Sequence, residues 1–234
     1  MLIKTAMRSL IVLFFLGLIN FQPAHLKAQN PELSGSAAIF QQLQKLQVLG
    51  SVLYIAAHPD DENNSLLPYL AKEKKYRTAY LSLTRGDGGQ NLIGPEQGVE
   101  LGLIRTQELL AARQIDGAEQ YFTSAYEFGF SKTANETLQY WDRRKVLADM
   151  VWVIRKFQPD IIVNRFPPDA RAGHGHHASS AVLSIEAFTA AADPNHFPEQ
   201  LKQGVFVWHA RRLVWNTINF GGATTTSENQ LKID

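Results

Sequence analysis

Residues 51–57, Ser-Val-Leu-Tyr-Ile-Ala-Ala, form an uncharged apolar run that stops abruptly on His58-Pro59-Asp60-Asp61-Glu62. A run this short, with no polar alternation, is stable as a strand only where both faces are covered, as inside a parallel sheet. The same grammar recurs. Residues 78–83 run into Arg85-Gly86-Asp87-Gly88-Gly89, and residues 160–163 run into Arg165-Phe166-Pro167-Pro168. Residues 119–123 read as a third strand and 205–216 as a final strand region.

Helical patterns separate these runs. Ser65 reads as the N-cap of a helix carrying Leu66, Leu67, Leu70 and Ala71, with Pro68 in its first turn. A second helix carries Leu103, Ile104, Leu110, Ala111 and Ile115 on one face. The spacing predicts one long helix from about Glu136 to Phe157, with Leu147, Met150, Val151 and Ile154 inward and Pro159 as its stop. A last helix follows Gly173-His174-Gly175-His176-His177, with Ala178, Ala181, Val182 and Ile185 in register. Strands alternating with helices predict an α/β fold: a mostly parallel, doubly wound sheet with helices on both faces. In such sheets ligands bind beyond the carboxyl ends of the strands. The clusters at 58–62, 85–89 and 174–177 each follow or close such a strand region, so all three converge on one rim.

Composition narrows the chemistry. The 234 residues are enough for one such domain with a sizeable core. Twenty-three basic against 22 acidic residues leave no electrostatic footprint for nucleic acid. Cysteine is absent, so a metal must be held by His, Asp or Glu. Residues 1–28 have the parts of a cleaved signal peptide. Lys4 and Arg8 charge its start, Leu10 to Ile19 is apolar, and Ala24 and Ala28 lie near a cleavage point. Its apolar run is about half the roughly 20 residues that span a bilayer. Cleavage after Ala28 removes Lys4, Arg8 and Lys27 and no acid, taking the formal charge from +1 to −2. The expectation is an exported protein with no membrane span in its mature chain. Its parts are a lead-in at 29–49, a domain at 50–220, and a polar stretch at 221–234, either a tail or a connection to further domains.

His58 and Asp61 lie three apart on a turn fixed by Pro59, a spacing at which both can chelate one ion. A catalytic zinc site has three protein ligands and an open position for water. The cluster His174–His177 is the other place where several histidines stand together, and it offers the third ligand. Asp60 is then placed to act as a general base, and a second histidine to stabilise an oxyanion or protonate the leaving group. The bland reading is a turn whose aspartate caps the next helix.

The segment Ala57-His58-Pro59-Asp60-Asp61-Glu62 after a buried strand, with a later His174-x-x-His177, resembles the LmbE/PIG-L family of zinc-dependent de-N-acetylases. Arg105-x-x-Glu108 fits the same pattern. The resemblance runs from about residue 50 to 190 and implies a Rossmann-like fold. It implies removal of acetyl groups from N-acetylglucosamine-type sugars. It further implies that His58, Asp61 and His177 are metal ligands, Asp60 the general base, His174 the group that stabilises the tetrahedral intermediate, and Arg105 a substrate-binding residue. Zinc suits a His₂Asp set, and Fe(II), Co(II) or Mn(II) would also be accepted. Where members often have Pro-Asp between the two motif histidines, this chain has Gly175-His176, and where some carry a Tyr it has Ala172.

Other residues carry two readings each. Glu62 is either near the metal or a first-turn acid. Asp87 either touches a substrate hydroxyl or makes an Asp-Gly turn. Trp141, beside Tyr140, is either a sugar-stacking platform or part of an amphipathic helix start. His196 reads as a surface residue and His209 as structural. The alternative to an enzyme is an exported carbohydrate-binding module with a vestigial metal site.

Overall fold

The apolar runs pair into one sheet. In the computed structural model, which describes residues 35–89 and 91–217, the elements follow in this order. They are α1 (Ser36–Lys45), β1 (Ser51–Ala56), α2 (Leu66–Pro68, continued by a π-helical turn Tyr69–Glu73), β2 (Arg77–Ser82), α3 (Val99–Asp116) and β3 (Glu119–Phe122). There follow α4 (Ala134–Tyr140), α5 (Arg143–Phe157), β4 (Ile161–Asn164), a 3₁₀ turn (Ala170–Ala172), α6 (Gly175–Ala190), α7 (Pro198–Leu201) and β5 (Arg212–Trp215). The expected signal peptide at 1–28 and the polar stretch at 221–234 lie outside the described residues. Among the described residues no helix is long and apolar enough to cross a membrane.

The strand order is β3-β2-β1-β4-β5, and every pair is parallel. The chain winds outward from β1 through β2 to β3, then returns to place β4 on the other side of β1. The winding therefore reverses between β1 and β4, which makes their carboxyl ends the switch point of the sheet. β1 is buried along its whole length. Leu53 and Ile55 join Met150, Ile154 and Leu183 on one face, while Val52, Tyr54 and Ala56 join Leu67, Leu70 and Leu109 on the other. An uncharged run is what two covered faces demand, and each such side chain contributes about 1.5–3 kcal/mol of burial. The register of β1 on β4 is pinned at its start, where Asp160 Oδ2 accepts from the Ser51 backbone N–H (3.0 Å) and hydroxyl (3.2 Å).

Four expectations need correction. The stripe Leu103, Ile104, Leu110, Ala111 and Ile115 faces outward, Leu103 being 62% exposed. α3 turns in Leu101, Gly102, Leu109, Arg113 and Asp116 instead, because its arginines brace the turn after β1. The long helix is two, α4 and α5. Trp141 ends the first in extended conformation, and Asp142 caps the second by accepting from the Lys145 N–H (3.0 Å). Ser65 makes no side-chain cap; Asn63 Oδ1 accepts from the Ser65 and Leu66 N–H groups (3.1 and 3.0 Å). The last strand is confined to Arg212–Trp215 of the expected 205–216 region.

Arg155, on α5, is 1% exposed, and its hydrogen bonds go to carbonyl oxygens. Its guanidinium donates to the carbonyls of Ala190, Ala191, Asp193, His196 and Phe197 and to Gln200 Oε1, at 2.8–3.3 Å. It thus ties α5 to the end of α6 and to α7. Arg155→Leu leaves several of these acceptors unpaired, so urea unfolding should show a loss of at least about 3 kcal/mol. A loss below about 1 kcal/mol would mean that water replaces the guanidinium at this junction.

Candidate metal centre

β1 delivers the first half of the site. The His58 N–H donates to Asp61 Oδ2 (2.7 Å), and the Tyr80 hydroxyl from β2 donates to the His58 carbonyl. Burial, then the charges of Asp61 and Glu62, holds the Tyr80 phenol well above its usual pKa, so it remains a donor. Asp60 adopts φ +93°, a left-handed conformation that Asp tolerates better than most residues. Its N–H donates to Glu62 Oε2 (2.9 Å), and Glu62 Oε1 pairs with Arg113 Nη2 (3.1 Å), which also holds Asp116 Oδ2 (2.6 Å). Glu62 therefore braces the turn from below. The reversal at Asp60 points the two aspartates apart: the Asp61 side chain is 11% exposed and the Asp60 side chain 69%.

β4 delivers the second half. The histidine cluster, expected ahead of a helix, is itself the start of α6. His174 is the N-cap, and its Nδ1 accepts from the His176 N–H (3.0 Å). An N–H donor there leaves the proton of a neutral His174 on Nε2. His177 Nδ1 lies 3.0 Å from the Ala172 carbonyl, so Nδ1 is the donor and Nε2 keeps its lone pair. Phe166 stacks flat on the His177 ring, with centroids 3.8 Å apart and planes within 2°.

The halves meet on Asp61. Asp61 Oδ2 lies 3.2 Å from His58 Nδ1, and Asp61 Oδ1 lies 3.5 Å from His177 Nε2. His58, Asp61 and His177 each offer a ligand atom within 4.8 Å of the other two. Zinc bonds of about 2.0–2.2 Å in tetrahedral array place neighbouring donors about 3.3–3.6 Å apart, close to the two Asp61 contacts, so the donor set fits a divalent ion. His58, His174 and His176 form a second grouping within the same limit.

Electrostatics sorts these groups. Burial opposes charge on Asp61, but the His58 hydrogen bond and the His58 and His177 charges outweigh it and lower its pKa. Burial also opposes charge on His58, yet Asp61 and Glu127 raise it overall. Burial, then the charges of His58 and its neighbouring histidines, pushes His174 down to about 4 and His176 to about 3. Both are neutral at pH 7.

A family model described as PIG-L, GlcNAc-PI de-N-acetylase, matches residues 53–188. The chain belongs to the PIG-L family. It is 30% identical over 169 residues to a 1D-myo-inositol 2-acetamido-2-deoxy-alpha-D-glucopyranoside deacetylase of Frankia casuarinae, covering 63% of this chain and 52% of that protein. It is 33% identical over 156 residues to the diacetylchitobiose deacetylase of Thermococcus kodakarensis, covering 66% and 55%. The chain thus spans about half the length of the curated relatives it matches. The solved N,N'-diacetylchitobiose deacetylase from Pyrococcus horikoshii superposes with a TM-score of 0.55 at 18% identity, over 79% of this chain and 70% of that one, which supports the fold.

The remaining residues of this PIG-L domain fall as follows. Arg105 Nη2 donates to the Pro59 carbonyl and to Asp60 Oδ2, both at 2.9 Å, so it grips the turn that carries Asp60. Asp87 Oδ1 accepts from the Glu127 N–H (3.2 Å), tying the glycine loop to the segment after β3. Trp141 is buried, donates to the Tyr126 carbonyl (2.8 Å) and packs on His176, so it forms no exposed platform. His196 and His209 are exposed, His196 beside Asp193 and His209 beside Phe188. The sequence reading missed Glu127, whose carboxylate lies 3.3 Å from His58 Nε2. The strand-end rule was the available signal, since Glu127 is the first acid after β3.

Gly175 sits where a Cβ would strike Ser131 Oγ, the Thr133 carbonyl (2.5 Å) and Thr137 Oγ1 (2.6 Å). Gly175→Ala should therefore displace the start of α6 and cost about 1–3 kcal/mol of stability. Zinc titration of the variant should show weakened binding, because His174 and His177 flank the displaced residue. Wild-type stability and zinc affinity would mean that the helix start shifts freely.

Proposed function

We propose that this chain hydrolyses the N-acetyl amide of an amino sugar, a GlcNAc-type conjugate, using zinc and releasing acetate and a free amine. The observation that carries the proposal is the convergence of His58, Asp61 and His177 beside Asp60 at the switch point of the sheet. That the relatives are named as deacetylases of acetamido sugars supports it. His58, Asp61 and His177 would hold the ion, which supplies Lewis acidity to an amide carbonyl and makes water more acidic.

The chain's own residues do the rest. Both Asp61 oxygens face ring nitrogens, so Asp61 is a ligand rather than a base. Asp60 projects into solvent and is steadied by Arg105. Its carboxylate takes a proton from the attacking water as the oxygen–carbon bond forms. Neutral His174 donates from Nε2 to the oxyanion that develops on the carbonyl oxygen. When the carbon–nitrogen bond breaks, Asp60 returns its proton to the leaving nitrogen. A cavity of about 420 Å³ adjoins His174 and is lined by Lys132, Asn135, Leu138, Arg143 and Asp169. Its size is that of ligand pockets, and we assign it to the remainder of the conjugate. Residues 1–28 carry the proposal that the enzyme acts after export. Nothing observed favours the binding-module alternative.

Purified protein should carry about one equivalent of zinc by elemental analysis, and His177→Ala should lose it. Asp60→Asn should keep the metal while acetate release from N-acetylglucosamine conjugates falls about 10²–10⁴-fold. Metal loss in Asp60→Asn, or unchanged acetate release, would count against the assigned roles. Protons compete with metal for His58, whose pKa is raised from 6.5. Zinc affinity should therefore begin to fall already above pH 6.5 and continue falling as pH drops. Flat affinity between pH 8 and 6, read by chelator competition, would remove His58 from the ligand set.

A further inference from the structure

Behind the proposed ligand set, on the edge of His58 away from Asp61, three groups meet. His58 Nε2 lies 3.0 Å from His176 Nδ1 and 3.3 Å from Glu127 Oε1. Glu127 Oε2 lies 3.5 Å from His176 Nδ1. The Glu127 side chain is 6% exposed and His176 is fully buried. Phe128 and Trp141 pack on the His176 ring, whose Nε2 has no hydrogen-bond partner among the described residues, so its polar contact there is through Nδ1. Glu127 is itself set in place: the Thr84 hydroxyl donates to Oε1 (2.6 Å), and its backbone N–H is held by Asp87.

A buried carboxylate with a single neutral donor is costly unless further donors or charge complete its surroundings. The two ring nitrogens are those partners. A histidine that ligates a metal through Nδ1 carries its proton on Nε2, and an acceptor there fixes the ring and raises the basicity of the ligating nitrogen. Between His174 and His177 this chain has Gly175-His176 and no acid. The carboxylate comes instead from the segment after β3.

We infer that Glu127 is a positioning residue of the metal centre, accepting from the His58 Nε2–H so that His58 Nδ1 faces Asp61 and His177. The inference rests on the metal-hydrolase reading. It is tested by zinc(II) affinity, from competition with a chromophoric chelator, and by thermal melting of the metal-free protein, for wild type, Glu127→Gln and Glu127→Ala. Glu127→Ala should bind zinc about 10–100-fold more weakly. Glu127→Gln should lose less, because its amide oxygen still accepts from a ring N–H. Stoichiometry should stay near one equivalent throughout. A wild type that binds no zinc overturns both this inference and the hydrolase reading. Wild-type affinity in both variants, with or without lowered melting, overturns this inference alone and leaves Glu127 a structural residue. A fall from two equivalents to one in Glu127→Ala also overturns it, since Glu127 would then be a ligand.

Discussion

The pairing of β1 with β4 is the constraint on which the rest depends. Val52–Ile55 run alongside Ile161–Asn164 in parallel register, although the partners lie 109 positions apart in sequence. Neighbouring strands lie about 4.8 Å apart, so whatever follows their carboxyl ends is forced together. Behind β1 comes the rigid turn of His58 to Asp61, and behind β4 the Phe166 shelf and the start of α6. The Asp160 contacts to Ser51 fix the register at one end, and the Arg165 N–H to the Ile55 carbonyl (2.9 Å) fixes it at the other. A slip of one residue would turn Tyr54 and Ile55 to the wrong layers and carry His58 away from His177.

Arginines do at this rim what apolar side chains do in the middle of the sheet. Arg113 lies over the Tyr80 ring and reaches Glu62, Asp116 and Gln120, while Arg105 grips the Pro59 carbonyl and Asp60. Burying a guanidinium is unfavourable unless its donors are met, and acidic and amide acceptors meet Nε, Nη1 and Nη2 of Arg113. That exchange explains why α3 turns its charged residues inward and leaves Leu103 and Ile115 in solvent. The helix is oriented by the turn it must brace, and not by its apolar stripe.

This is also where the sequence stops being legible. The strands were readable because a continuous uncharged run has few other homes, and the meeting of the 58–62 and 174–177 clusters could be expected because both follow strand regions. The inward face of α3 was not, since periodicity registers hydrophobicity and is blind to a buried ion-pair network. The break at Trp141 follows from burial of its indole and from the cap by Asp142. An apolar pattern continuing on both sides concealed it. Glu127 belongs to no motif; the strand-end rule pointed to the segment after β3, and the pairing of β3 with β2 carries that segment towards His58. Asn63, and not Ser65, meets the first free N–H groups of α2, its Oδ1 accepting from both Ser65 and Leu66.

The adjacent aspartates show how little backbone separates two chemical roles. In an extended strand, neighbours would point to opposite faces and both would leave the turn at similar depth. Here the left-handed φ at Asp60 costs about 1–2 kcal/mol for an L-residue. The Glu62 and Arg105 contacts offset that cost by holding the Asp60 N–H and carboxylate in the reversed position. The reversal frees Asp61 to bridge two imidazoles in a buried site, where its carboxyl is held ionised. It sends Asp60 outward, where its side chain is 69% exposed and pairs with Arg105. Two identical side chains thus take opposite places, Asp61 between two buried imidazoles and Asp60 in solvent beside Arg105. The difference lies in one backbone dihedral and in the two braces that keep it.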